Sequence, residues 1–134
     1  RYGIFFYLKN KDGAVLFKKN NSIGLFANMD MLPSIGWYED SNRLKASPKF
    51  NKKKHKFLGI KWKILDQNLV HIFTHFKLNC TVAIAVINDE NEFSNDLDKS
   101  IYKFVQKKNI NDLALPSLIK KILNSLKKDE AFSF

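Results

Sequence analysis

Residues Leu69-Val70-His71-Ile72-Phe73-Thr74-His75-Phe76-Lys77-Leu78-Asn79-Cys80-Thr81-Val82-Ala83-Ile84-Ala85-Val86-Ile87 form two apolar runs divided by the polar pair Thr74-His75. Six successive apolar residues, 82–87, end the second run. A strand exposed on one face alternates apolar with polar, whereas a strand apolar throughout is covered on both faces. The second run is therefore predicted as a central strand. The first run is its strand-forming neighbour, and Thr74-His75 is the break between them.

Working outward, upstream residues 57–65 place Leu58, Ile60, Trp62 and Ile64 against Gly59, Lys61 and Lys63. That alternation predicts a half-buried strand. At the start of the chain, aromatic residues 2–8 and the apolar run 14–17 flank Asn10-Lys11-Asp12-Gly13. Asp-Gly between such runs is a strong hairpin signal, because glycine tolerates the positive φ of the turn. Residues 2–19 are read as that hairpin. Residues 20–40 are rich in loop residues, with a short strand near 29–32.

Downstream, residues 88–98 carry five of the thirteen acids and read as a surface loop. A short strand is expected at 101–105. Leu115, Leu118, Ile119, Ile122, Leu123 and Leu126 then recur on one side of a 3.6-residue repeat. Pro116 suits the first turn of this helix. Lys120 and Lys121 fall on its outer face. The whole is an α+β domain with a mixed sheet and a closing helix.

The length of 134 residues suits one domain with one core, and 12 Phe supply enough apolar mass to fill it. The chain is read as a single domain, 1–134. Its first residue is Arg, from which an excised domain or a processed product is expected. A net charge of +10 favours a polyanionic partner, although lysine on any solvated face has the same effect. One cysteine, Cys80, excludes an internal disulfide or a cysteine-built metal site within this chain. It is expected in the core. No apolar stretch is long enough to span a membrane, and no secretory signal is visible, so an intracellular setting is expected.

Three segments resemble the C-terminal, Nudix-like domain of the MutY-type adenine DNA glycosylases. The first is Asp12-Gly13-Ala14-Val15-Leu16-Phe17-Lys18-Lys19, followed by Gly24-Leu25-Phe26 and Leu32-Pro33. The second is His71-Ile72-Phe73-Thr74-His75-Phe76-Lys77-Leu78, then Thr81-Val82. The third is residues 113–123, Leu-Ala-Leu-Pro-Ser-Leu-Ile-Lys-Lys-Ile-Leu. The first is superfamily-level; the second and third are more specific, and their spacing agrees. Residues 27–31 depart from the family, as does Ser34, which stands where glycine often follows Pro33.

The resemblance implies a Nudix-like α/β/α sandwich that recognises 8-oxoguanine in duplex DNA. It implies a parent enzyme that removes adenine mispaired with 8-oxoguanine in base excision repair. The catalytic carboxylates and a 4Fe-4S cluster would then belong to an N-terminal domain of that parent. The expected partners are lesion-containing duplex DNA and that catalytic domain, with the protein monomeric and cytoplasmic, associated with the nucleoid. The alternative is a non-catalytic Nudix-like module used for contacts with a sliding clamp or another repair protein.

The resemblance does not extend to hydrolysis. The Nudix hydrolase motif, G-x5-E-x7-R-E-U-x-E-E-x-G-U with U aliphatic, uses paired glutamates to hold a divalent metal. Starting at Gly36, Asn42 takes the first acid position, Phe50 and Asn51 the R-E pair, and Lys54 and His55 the metal-binding pair. Starting at Gly24 supplies Asp30 and Glu39 but leaves Asn42 and Arg43 at the metal-binding pair. Neither frame supplies the metal carboxylates. His71, His75, Asp66 and Cys80 match no metal-ligand spacing. No catalytic residue, resident metal or cofactor is assigned to this chain.

The resemblance also implies that Phe73, Thr74 and His75 reach the lesion. 8-Oxoguanine adds an oxygen at C8 and a proton at N7. The Thr74 hydroxyl can donate to the first or accept from the second. His75 can donate to a phosphate or brace the turn, and Phe73 can anchor or stack. On the residues alone, without the resemblance, Thr74-His75 reads as a polar turn or bulge between two strands, and Phe73 and Phe76 read as core. Residues 41–65 hold nine Lys or Arg and no acid. Within them Lys52, Lys53 and Lys54 are candidate phosphate contacts or a solvated loop. Lys18, Lys19 and Lys77, which flank matched segments, are candidates of the same kind. Trp37 and Trp62 read as core or rim.

Overall fold

Strand β7 (Lys77–Ile87) runs through the middle of one mixed sheet, in a computed structural model that describes residues 1–21, 24–39, 60–65, 69–88, 98 and 100–127. Its parallel neighbour is β1 (Tyr2–Asn10), in register from Tyr2 opposite Asn79 to Asn10 opposite Ile87. The apolar run of β7 feeds both faces, as its composition predicts. Leu78, Cys80, Val82 and Ile84 enter one core cluster, and Ala83, Ala85 and Ile87 enter the other.

The predicted hairpin joins β1 to β2 (Val15–Lys19), which pair antiparallel. Its loop is three residues, not the two of the tightest Asp-Gly turn. Asn10 N–H donates to Ala14 O at 2.9 Å and Gly13 N–H to Asn10 O at 3.0 Å. Gly13 has φ +85°, the left-handed position that such a loop requires of its last residue. The Asn10 side chain accepts from Asp12 N–H at 3.0 Å and Ala14 N–H at 2.9 Å, which closes the turn from within.

The outer strands follow. β2 pairs with β3 (Asp30–Met31) and β8 (Tyr102–Val105), and β1 also pairs with β4 (Ser34–Tyr38). On the other side of β7 lie β5 (Lys63–Ile64) and β6 (Leu69–Ile72), both antiparallel to it. The strand expected over 57–65 is reduced, among the described residues, to Lys63–Ile64. Ile60 and Trp62 precede it as irregular chain, and both pack on the second core cluster. The alternation places Ile60 and Trp62 against the core but fails at Ile64, which is 50% exposed while Leu65 is buried and its N–H donates to Val82 O of β7 at 2.9 Å.

A 3-10 helix (Lys107–Asp112) leads to helix α1 (Ser117–Lys127). Pro116 stands at the start of α1, where its carbonyl accepts the first helical bonds, from Ile119 N–H at 3.0 Å and Lys120 N–H at 3.1 Å. Leu118, Ile119, Ile122, Leu123 and Leu126 are buried against the first face of the sheet. The second face is packed by Ile60, Trp62, Tyr102 and Phe104. The described residues thus show one helical layer of the expected α/β/α arrangement on a mixed sheet. Cys80 is 2% exposed, and burial pushes its thiol up to about 11. No described helix is long and apolar enough to cross a membrane.

Asp30 joins the sheet to the entrance of α1. Its carboxylate accepts from Ala114 N–H at 3.3 Å, and its own N–H donates to Ala114 O at 2.9 Å. The other carboxylate oxygen is buried without a hydrogen bond and lies 3.5 Å from Lys103 Nζ. Burying that charge is tolerable only with a cation beside it.

Candidate functional site

The turn between β6 and β7 is built by a single backbone bond, Phe73 N–H to Phe76 O at 2.8 Å, and carries Thr74 and His75 at its tip. Both tip residues are exposed. Among the described residues the Thr74 hydroxyl has no hydrogen bond, so it is open to an external partner. The two flanking phenylalanines are half-buried and stack on each other with centroids 4.7 Å apart.

Why the turn is firm is explained by a strained tryptophan. Between β1 and β4 the register shifts: Tyr2 faces Tyr38 while Gly3 faces Gly36, leaving Trp37 as an extra residue. Gly36 has φ +97° and Trp37 has φ +63°. A left-handed bulky residue costs roughly 1–3 kcal/mol, and a bulge of this kind re-aims one side chain. Here the indole is turned onto the first face of the sheet. Its ring lies 5.9 Å from Phe73, 6.3 Å from Phe76, 6.2 Å from Phe5 and 6.4 Å from Phe26. Gly3 makes room for it, since a Cβ there would stand 3.2 Å from Trp37 Cδ1. Phe26, also left-handed at φ +60°, closes the cluster 5.8 Å from Phe73. Phe73 is thus an anchor, and the same anchoring leaves Thr74 and His75 facing out.

Two basic groups lie beside the turn. The Arg1 guanidinium lies 4.4 Å over the Phe76 ring, a cation–π contact that sequence reading missed, because only the fold brings Arg1 to residue 76. The His71 ring sits 4.7 Å from Phe73. Burial, and then the positive charge of Lys121, lower the His71 imidazole pKa below its ordinary value. The unfolded chain therefore takes up this proton before the folded one does. The resulting stability is present above the unfolded-state value near 6.5 and is lost as pH falls through the lower folded-state value. In chemical denaturation at pH 7.5 and 5.5, His71→Gln is expected to show a smaller loss on acidification than the parent chain; an equal loss would remove His71 from the effect.

The lysines divide. Lys77 is exposed at the start of β7, beside the turn. Lys18 and Lys19 lie on β2, whose partners are β1, β3 and β8 and not β7. Lys18 shares a face with Tyr102, its Nζ 5.7 Å from that ring, on the side of the sheet opposite Phe73. The fold does not bring it to the turn. Lys52, Lys53 and Lys54 lie outside the described residues, as do Asn42, Phe50, Asn51 and His55 of the hydrolase frames. Asp30, the first acid of the Gly24 frame, is committed to Ala114 and Lys103, so it does not fit a divalent metal. Among the described residues no group of three or more His, Cys, Asp or Glu is gathered as metal ligands.

A family profile described as "NUDIX domain" matches residues 4–125. No curated protein matches the chain. Among solved structures, the C-terminal domain of mouse MUTYH, in a complex with human PCNA, aligns with TM-score 0.73 and 16% identity, covering 95% of this chain and 87% of that one. An Ap4A hydrolase from C. elegans aligns with TM-score 0.65 and 9% identity, covering 95% and 96%. A MutT protein from Methanosarcina mazei Go1 aligns with TM-score 0.64 and 12% identity, covering 95% and 92%. Identities this low speak for the fold.

Proposed function

This chain belongs to the NUDIX domain family, and from that premise we propose that it is the 8-oxoguanine-recognition domain of an adenine DNA glycosylase. The observation that carries the reading is the Phe73–Phe76 turn. Its aromatic flanks are fixed in the core, and its tip presents an unengaged hydroxyl and an imidazole to solvent. Such a tip suits a reader that must tell one added oxygen and one added proton from ordinary guanine. The structural likeness to the C-terminal domain of mouse MUTYH supports the same assignment.

Thr74 is then the lesion contact, accepting from N7–H or donating to O8. His75, Lys77 and Arg1 lie beside it for phosphates, which position the duplex without reading its sequence. Adenine removal belongs to a separate catalytic domain, which also holds the 4Fe-4S cluster. The lone buried Cys80 cannot serve such a cluster. This domain acts by holding the lesion pair in place.

The reading is tested with this chain and two duplexes of one sequence, with 8-oxoguanine or guanine opposite adenine. Tighter binding to the lesion duplex at each of several salt concentrations is expected. Equal affinity for the two duplexes would refute a recognition role. The solved complex of the mouse domain with PCNA favours a second reading, in which this domain docks a sliding clamp. A pull-down with the clamp in the absence of DNA separates the two.

A further inference from the structure

The outward face of α1 has no role in the reading above. Lys120, Asn124 and Lys127 follow one another at helical spacing and are all exposed, with Lys121 adjoining. A groove of about 480 Å³ lies on one side of this stripe, where Lys107, Lys120 and Lys127 stand with Asn111 and Asn124 above an apolar floor. A second, of about 460 Å³, lies between the helix and Leu69, bordered by Lys120, Lys121 and Asn124. Among the described residues, no carboxylate lines either groove. Among the described residues, none of Lys107, Lys120, Lys121 and Lys127 forms an ion pair. Cations without a fixed partner attract counterions in solution, which a bound polyanion would release.

One residue links this helix to the turn. Lys121 Nζ donates to Val70 O at 2.7 Å, tying α1 to β6, the strand that leads into Phe73. His71, beside that carbonyl, touches Phe73. All of this lies on the face of the sheet that holds Phe73 and Trp37. The 11 residues of α1 span about 16 Å at 1.5 Å per residue, long enough for several phosphates of one strand, which recur about every 3.4 Å of duplex axis.

We propose that the outer face of α1, with its two flanking grooves, is a phosphate-binding track that holds the DNA backbone beyond the lesion contacted by the Phe73–Phe76 turn. The proposal rests on the reading that the turn faces duplex DNA. Charge complementarity selects the occupant: among the described residues the stripe offers cations and amide donors and no acid. Lys107, Lys120 and Lys127 each neutralise a phosphate, and Asn124 donates between them. These contacts are blind to the lesion. They add affinity, and the turn adds discrimination.

The test uses the chain carrying Lys107→Gln, Lys120→Gln and Lys127→Gln together, beside the parent and Thr74→Ala. Lys121 is left in place because it ties α1 to β6. Affinity for lesion and undamaged duplexes is measured across salt concentrations. The triple variant is expected to flatten the slope of log K against log salt by about 2–3, near 0.9 per lost phosphate contact. Both duplexes should weaken alike, with lesion preference kept. Thr74→Ala should do the reverse, losing preference at unchanged slope. An unchanged slope in the triple variant, with lesion preference intact in the parent, overturns the track and leaves the recognition reading standing. A flattened slope in the triple variant, beside a parent without lesion preference, upholds the track and sinks the recognition reading. No duplex binding by the parent at 50 mM salt overturns both. Loss of poly-L-glutamate binding with duplex affinity unchanged would assign the face to an acidic protein and overturn the proposal.

Discussion

Phe5→Ala is expected to destabilise the folded chain by about 3–5 kcal/mol, the usual cost of removing a buried aromatic ring. Phe5 is fully buried. It sits on β1 between Ser34 of β4 and Val82 of β7, with the Trp37 ring 6.2 Å away. Deleting the ring opens a cavity between the centre of the sheet and the aromatic cluster. Neither neighbouring strand can collapse into it without breaking its ladder. A domain of this kind holds about 5–15 kcal/mol in total, so the variant should unfold at a much lower denaturant midpoint. The left-handed backbone of Trp37 is held by this packing. Lesion preference should therefore fall as well, at temperatures where the chain is still folded. Ile72→Ala provides the contrast: Ile72 is 72% exposed, and a change within about 0.5 kcal/mol is expected. If the two variants unfold at the same midpoint, Phe5 is not the keystone described.

Thr74→Ala is expected to leave stability within about 0.5 kcal/mol of the parent, since the residue is exposed at a turn tip. Its effect should appear only in binding. One well-placed polar contact to a base is worth about 1–3 kcal/mol of discrimination, or roughly 5- to 150-fold in relative affinity. Preference for 8-oxoguanine over guanine opposite adenine should fall by that factor. Affinity for undamaged duplex should hold. Thr74→Ser keeps the hydroxyl and should keep most of the preference. Should Thr74→Ala bind both duplexes as the parent does, the hydroxyl has no part in recognition. If Thr74→Ser fails together with Thr74→Ala, the methyl group rather than the hydroxyl matters.

The two substitutions probe opposite ends of one arrangement. Trp37, Phe26 and Phe76 surround Phe73, and Phe73 fixes the turn that exposes Thr74. Strain at Trp37 and Phe26 is balanced by the packing of their rings. The site is therefore coupled to the core, while the exposed Lys107, Lys120 and Lys127 take no part in that packing. Losses at α1 should be additive with losses at Thr74, and losses at Phe5 should not.

Local patterns in the chain were enough to determine much of this architecture. The six-residue apolar run marked β7 as central, because a strand without a polar face must be covered twice. Gly13 marked the first turn, because few other residues accept its φ. The spacing of Leu118, Ile122 and Leu126 marked α1 and left Lys120 facing outward. Thr74 and His75 stood out because a polar pair between two apolar strands has nowhere to go but the surface. Each of these signals is short-range and arises from a period or a single residue's geometry.

Tertiary structure alone decided the rest. The bulge that turns Trp37 inward depends on the register of β1 against β4, and register is a property of two strands. Arg1 over Phe76, Asp30 against Ala114 and Lys121 on Val70 each join residues distant in sequence, through groups that carry no periodic signal. The alternation of 60–64 marked Ile60 and Trp62 for the core, yet Ile64 is 50% exposed and Leu65 is buried instead, because where the chain meets β7 is set by the neighbouring backbone and not by a local period. Which lysines adjoin the turn was open for the same reason. Charge is written in the sequence, but the face on which it falls is set by how the strands are laid side by side.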